Sequence, residues 1–333
     1  CEFRTIQPWA GLVFAVNSLR LWLLGRRPCV LRTARPPARA VLRKATSVNT
    51  HRNLNYDLPR ELTEPFLRFM CRHLVALFGT YHFLSDGVAQ GDERAFCYSG
   101  CVIESPAGWC YTTAGHVLRE QVYGYVERGL VRINRFGLAD YFGAAPVVRN
   151  PLPFDLDGAE KWYVDDQVLG LDFALVALRD FYMASLDANG VEPITRRNWA
   201  GTDRMEFDHF AMIGFPSEFI DPGARDGDRG PQVGCYVAQV LVWIDRIDQV
   251  PDGMRPPPAT WFMGRVSVPF SMKGMSGGPI FGFRRNPEGQ WAYHTIAIQS
   301  WWDPQHRVVF GCPIPTFMDH VEQDLQRARQ TRS

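Results

Sequence analysis

An all-β fold, an antiparallel sandwich or barrel, is what this 333-residue sequence predicts. One observation is a succession of short strand candidates: FCYSGCVI, WCYTTAG, VRINRFG, DFALVAL, DHFAMIGF, CYVAQVLVWI, RVSVPF, GPIFGF, YHTIAIQSWW and RVVFGCPI. A second is the punctuation between them, drawn from 29 Gly and 24 Pro. A third is composition: 46% apolar and 21% charged residues provide a real core and exclude disordered, collagen-like and coiled-coil chains.

Residues 1–56 stand apart. They hold ten Lys/Arg against the single acid Glu2, a net of +9; since the whole chain carries +1, the remainder carries −8. That balance is not the one of a nucleic-acid binder. The longest apolar run, Trp9 to Leu24, is broken by Asn17 and Arg20 and falls short of a span of about 18 apolar residues. The region reads as a poorly ordered basic leader, with a signal or transit peptide as the alternative. Residues 57–90 read as a helical appendage. Thr63 caps it, Glu64 and Pro65 suit its first turn, and Phe66, Phe69, Met70, His73, Leu74 and Leu77 recur at helical steps up to about Gly79.

Residues 91–200 and 201–333 then form two β domains. The first opens with a hairpin turning at Glu104–Gly108, and 150–170 and 221–233 read as loops. Phe317, Met318, Val321 and Leu325 predict a C-terminal helix. The eight cysteines are too few for a disulfide scaffold. Cys97, Cys101, Cys110 and His116 match no common zinc spacing; Cys101 and Cys110 read instead as small buried hydrophobes beside Ile103.

Three motifs carry chemistry. Gly274-Met275-Ser276-Gly277-Gly278-Pro279 makes a tight turn that exposes a hydroxyl and aims the Gly274 and Ser276 amides at one point. A serine nucleophile needs a base. His116 supplies one at the end of YTTAGHVL, where a strand meets a small-residue turn. An imidazole base needs a carboxylate to hold its tautomer. Asp172 heads the apolar strand DFALVAL, where an unpartnered charge is expensive to bury.

Together these motifs resemble the trypsin-like, chymotrypsin-fold serine peptidases over about residues 90–325. TTAGHV is similar to the histidine motif, with Gly115 for its second Ala. LDFALVAL resembles the Asp-Ile/Leu-Ala-Leu strand and GMSGGPIF the Gly-x-Ser-Gly-Gly-Pro motif, in the order His, Asp, Ser. AMIGFP is similar to a Gly-Tyr/Phe-Pro segment of bacterial members, and AIQSWW to the substrate-lining strand. The resemblance implies two six-stranded antiparallel β-barrels, a polypeptide substrate, and no metal or organic cofactor. It also implies a Ser276–His116–Asp172 triad with an oxyanion hole at Gly274 and Ser276. Phe270, Ser300, Trp301 and Trp302 fall at substrate-binding positions. There the bulky Phe270 and Trp302 imply a small apolar or partly closed pocket.

Two departures shape the expectation. Met275 stands where secreted relatives carry an Asp that pairs with a new N-terminus, and Val117 replaces a disulfide-forming Cys. Both point to the bacterial, HtrA-like branch, here without its PDZ domain, in the cytoplasm if residues 1–56 are no targeting signal. Cys235 and Cys312 read as strand cysteines buried as free thiols. A catalytically silent binding or scaffold protein on the same fold is the alternative function.

Overall fold

The computed structural model describes residues 69–106, 108–140, 151–221, 224–227, 230–233, 236–237 and 239–330. The chain divides into Cys1–Leu54 and Asn55–Ser333, and the described residues all belong to the second unit. The basic leader, the start of the expected appendage and Cys235 lie outside them.

The N-terminal half has eight strands: β1 (Val75–Ser85), β2 (Val88–Tyr98), β3 (Cys101–Ser105), β4 (Gly108–Thr113), β5 (Val131–Asp140), β6 (Leu152–Pro153), β7 (Lys161–Asp166) and β8 (Leu171–Ala177). They pair as two antiparallel sheets, β2-β1-β5-β6 and β3-β4-β8-β7, joined by a bridge between Leu74 and Cys101. Both sheets enclose one core, in which Val75, Leu77, Leu138, Tyr111, Ala174 and Val176 meet. The hairpin expected around Glu104–Gly108 is present, with Ser105 paired to Gly108. The pairing of Ile103 with Cys110 puts both in one apolar cluster with Cys101.

The C-terminal half is a closed barrel. Its strands β9 (His209–Gly214), β14 (Val240–Arg246), β15 (Phe262–Arg265), β16 (Pro279–Arg285), β17 (Trp291–Asp303) and β18 (Val308–Pro313) close in the order β14-β15-β18-β17-β16-β9. Met212, Val242, Ile280, Ala297 and Val309 fill it, Met212 facing Val242 and Ile280, and Ile280 facing Ala297, across the ladders. Between β9 and β14 run two short ribbons, β10 (Ile220–Asp221) with β13 (Tyr236–Val237) and β11 (Ala224–Gly227) with β12 (Gly230–Val233). The expected C-terminal helix spans Ile314–Gln330; Phe317 stacks on Phe173 at 4.8 Å and docks it against both halves. No helix among the described residues is long and apolar enough to cross a membrane.

The appendage is a correction. After helical residues 69–71 the chain turns and enters β1, so Leu74 and Leu77 sit on an extended segment. Alternate residues there face different cores: Val75 and Leu77 one, Ala76 and Phe78 the other. A strand apolar on both faces mimics a helical repeat over a short window. The deciding signal is Asp86-Gly87 with φ of 52° and 77°, the two-residue turn that joins β1 to β2. Strand structure therefore begins at Val75, ahead of residue 91.

Three smaller expectations change as well. FCYSGCVI is two strands separated at Ser99-Gly100, and RVSVPF leaves the barrel after Arg265. The supposed loops contain β7 and the ribbon β11–β12. The polar ends Asp165 and Asp166 hide the strand character of β7, which pairing with β8 imposes.

A buried polar link joins the halves. His73, 1% exposed, donates its Nδ1–H to the Glu192 carbonyl at 2.7 Å and accepts the Tyr293 hydroxyl at Nε2 at 2.8 Å. Burial, opposed by the Glu192 carbonyl and aided by the charge of Arg72, pushes its pKa down to about 4. The unfolded chain then binds this proton first, so stability present near neutrality is lost as pH falls from about 6.5 to about 4, by about 3 kcal/mol. Urea melts across that range measure the slope, and His73→Gln is expected to remove the His73 share of it.

Candidate active site

β4 ends at Thr113, and the chain turns through Ala114 and Gly115 to His116. A Cβ on Gly115 would collide with the Val164 carbonyl of β7, so only glycine lets the turn press against that strand. This packing accounts for the Gly in the histidine motif. His116 then leads into the helix α1 (Val117–Gly124), whose Val117, Leu118 and Val122 are buried.

Asp172 opens β8 and is 3% exposed. Both its oxygens go to one residue: Oδ1 accepts the His116 backbone N–H and Oδ2 the Nδ1–H, each at 2.9 Å. The proton is thereby held on Nδ1, and Nε2 keeps its lone pair for a base. Burial alone would lower the pKa of His116. The hydrogen bond and charge of Asp172, with the charges of Asp165 and Glu120 behind it, outweigh burial and raise it. Asp165 is the cross-strand partner of Asp172, with Arg119 beside it at 3.8 Å. Burial and the negative charge of Asp172 raise its own pKa.

Ser276 lies half-buried in the turn before β16. The Gly277 N–H donates to the Gln299 carbonyl at 2.8 Å, and the Gln299 N–H to the Gly278 carbonyl at 2.9 Å. Gly277 has φ 92°, and a Cβ there would collide with Thr113 Oγ1, three residues before His116. The turn therefore sits directly against the end of the histidine strand. Ser99 completes the junction, donating through N–H and Oγ–H to the Gly274 carbonyl at 3.4 and 2.9 Å. On the other side, Ser300 of β17 donates Oγ–H to the Asp172 carbonyl at 3.4 Å. Ser276 Oγ and His116 Nε2 share no hydrogen bond with each other among the described residues.

The amides of this turn are unequally committed. Lys273 donates to Ser271 Oγ, Met275 to the Met272 carbonyl, Gly277 to Gln299 and Gly278 to Met275. Those of Gly274 and Ser276 have no acceptor among the described residues. They are the two amides expected to form an oxyanion hole. On β17, Trp301 is 40% exposed and stacks on Phe310 at 4.9 Å. Phe270 and Trp302 lie partly buried on one apolar cluster with Met272, Met275 and Val309.

The arrangement thus brings together His116, Asp172, the Ser276 turn and the strand Ser300–Trp302. Sequence reasoning missed Ser99 and Asp165. Ser99 gives no signal because its segment reads as continuous strand, and Asp165 falls in a stretch that reads as a loop.

No family model and no curated protein matches the chain. Among solved structures it is similar to the MamO protease domain from Magnetospirillum magneticum, at 11% identity and TM-score 0.36, covering 75% of this chain and 96% of that one. It is similar to Deg5 at 13% identity and TM-score 0.39, covering 79% and 95%. It is also similar to a mutant of the Tobacco Etch Virus protease at 10% identity and TM-score 0.37, covering 79% and 81%.

The clasp on His116 has a direct readout. Its ring proton signals, followed by NMR against pH, are expected to titrate above the usual 6.5. Asp172→Asn is expected to bring that midpoint down, because burial then faces only the weaker opposition of the Asp165 and Glu120 charges. An unchanged midpoint would show that Asp172 does not hold the imidazole.

Proposed function

We propose that the chain is a serine endopeptidase. The observation that carries this reading is the juxtaposition of an Asp172-held imidazole with a serine turn whose two uncommitted amides are Gly274 and Ser276. Ser276 Oγ attacks the peptide carbonyl while His116 Nε2 takes its proton. The tetrahedral intermediate places its oxyanion on the amides of Gly274 and Ser276. His116 then returns the proton to the departing amine, leaving an acyl-enzyme. Water, deprotonated by the same nitrogen, attacks the ester and releases the acid and Ser276 Oγ–H. Asp172 stabilises the imidazolium formed in each half-reaction. Activity therefore rises with pH as His116 loses its proton, through a midpoint above the usual imidazole value.

Ser276→Ala is expected to abolish both peptide hydrolysis and labelling by a fluorophosphonate, the losses reaching about a million-fold as in subtilisin. One oxygen is removed from a half-buried side chain, so stability is expected to move by less than about 1 kcal/mol. A wild-type chain that refuses the probe while fully folded would instead favour the silent scaffold.

In this reading Phe270 and Trp302, which pack partly buried on the barrel's apolar cluster, make the walls of the primary pocket bulky and apolar. A basic side chain of the residue before the cut bond would bury its charge there unpaired. Peptide-library profiling is expected to show Arg and Lys disfavoured at that position. Trp302→Gly is expected to widen acceptance toward larger residues, with changes of about 1–3 kcal/mol per misfit group. An Arg or Lys preference in the wild type would refute this pocket.

A further inference from the structure

The amides of Gly274 and Ser276 are useful only if the loop carrying them is fixed beforehand. In the resemblance above, secreted relatives carry at the position of Met275 an Asp that pairs with a new N-terminus. Met275 is 0% exposed and Met272 1%, and both are sunk in the apolar core of the barrel. No carboxylate at position 275 grips the loop from within.

The loop is gripped from outside instead. After β9 the chain makes a single turn at Ser217–Phe219 that meets residues 271–274. The Glu218 carboxylate accepts the Ser271 N–H through Oε1 at 2.7 Å. The Ser217 N–H donates to the Lys273 carbonyl at 2.7 Å. Within the loop, Ser271 Oγ accepts the Lys273 N–H at 3.2 Å, so the two attachments are linked.

The bond to Lys273 sets the direction of the next amide. No peptide among the described residues is cis. In a trans peptide the C=O and the following N–H point opposite ways. Turning the Lys273 carbonyl toward Ser217 therefore turns the Gly274 N–H away from Ser217 and leaves it without an internal acceptor. Rotating that peptide would cost the Ser217 bond and withdraw one oxyanion donor.

We propose that Glu218 is a positioning residue for the oxyanion loop, holding Ser271 so that the Ser217–Lys273 bond keeps the Gly274 amide presented. This rests on the protease reading of Ser276. It implies a loop preformed in the uncleaved chain, with no need of a new N-terminus. Because the Glu218 side chain is exposed, its removal leaves the core untouched. It reaches no reacting atom, so it acts on turnover rather than on substrate binding.

The test compares wild type, Glu218→Ala and Glu218→Gln in full-length protein, by steady-state peptide hydrolysis, fluorophosphonate labelling rate and thermal melting. Glu218→Ala is expected to lower kcat and the labelling rate about 10–100-fold, the range of a displaced oxyanion donor, with KM within about twofold and melting unchanged. Glu218→Gln keeps an acceptor oxygen and is expected to recover most of the loss. An Ala variant as fast as wild type overturns the proposal, as does a Gln variant as slow as Ala or a rate loss accompanied by a fall in melting temperature. A wild type that neither cleaves nor labels overturns the protease reading itself, an outcome distinct from all of these.

Discussion

Ser99 is the point at which the two halves of the molecule become one site. Its N–H and hydroxyl both donate to the Gly274 carbonyl, and its hydroxyl oxygen accepts the Phe215 N–H. Its own carbonyl accepts the hydroxyls of Tyr111 and Thr113. Every polar function of a fully buried residue is thus committed, two to the serine loop and one to the strand that leads to His116. Leaving any of these unpaired in the interior would cost about 1–3 kcal/mol. The relative placement of the histidine strand and the serine turn is therefore fixed by the same bonds that keep Ser99 satisfied.

Around that junction the electrostatics run in one direction. Asp172 is buried at the head of an apolar strand and is tolerable there because both its oxygens are bonded to His116. Asp165 adds a second negative charge across the β7–β8 ladder, at a cost that Arg119 offsets in part. Together they favour a charged imidazole and so strengthen it as a base. On the serine side the backbone supplies positive ends of dipoles, with no charged side chain in the turn other than Lys273. The site is made from fixed groups whose orientations are settled before any substrate arrives.

The cysteines show the same division between chemistry and packing. Cys71, Cys97, Cys101, Cys110 and Cys312 are all buried and outside any disulfide. Burial pushes Cys71 and Cys312 up to about 12, which keeps them protonated and inert. They serve as small core residues.

How much of this was legible in the chain differs by element. Short continuous apolar runs such as DFALVAL and GPIFGF, buried on both faces, announce themselves through local pattern, and so does the C-terminal helix. The residues of the candidate site were legible too, since glycine-flanked Ser276, turn-mounted His116 and strand-heading Asp172 each need a special local setting. What local pattern misread were segments governed by distant partners. β1 follows closely on helical residues 69–71 in one apolar stretch, so its first residues read as a continuation of the helical spacing. β7 is a strand because β8 supplies its ladder, despite Asp165 and Asp166. Ser99 and Glu218 are ordinary polar residues until the fold brings Gly274 and Ser271 to them from more than fifty residues away. The sequence by itself determined which groups carry charge, nucleophile and turn. Tertiary structure alone decided which backbone amides remain uncommitted, because a hydrogen bond is spent or spared only once both partners are in place.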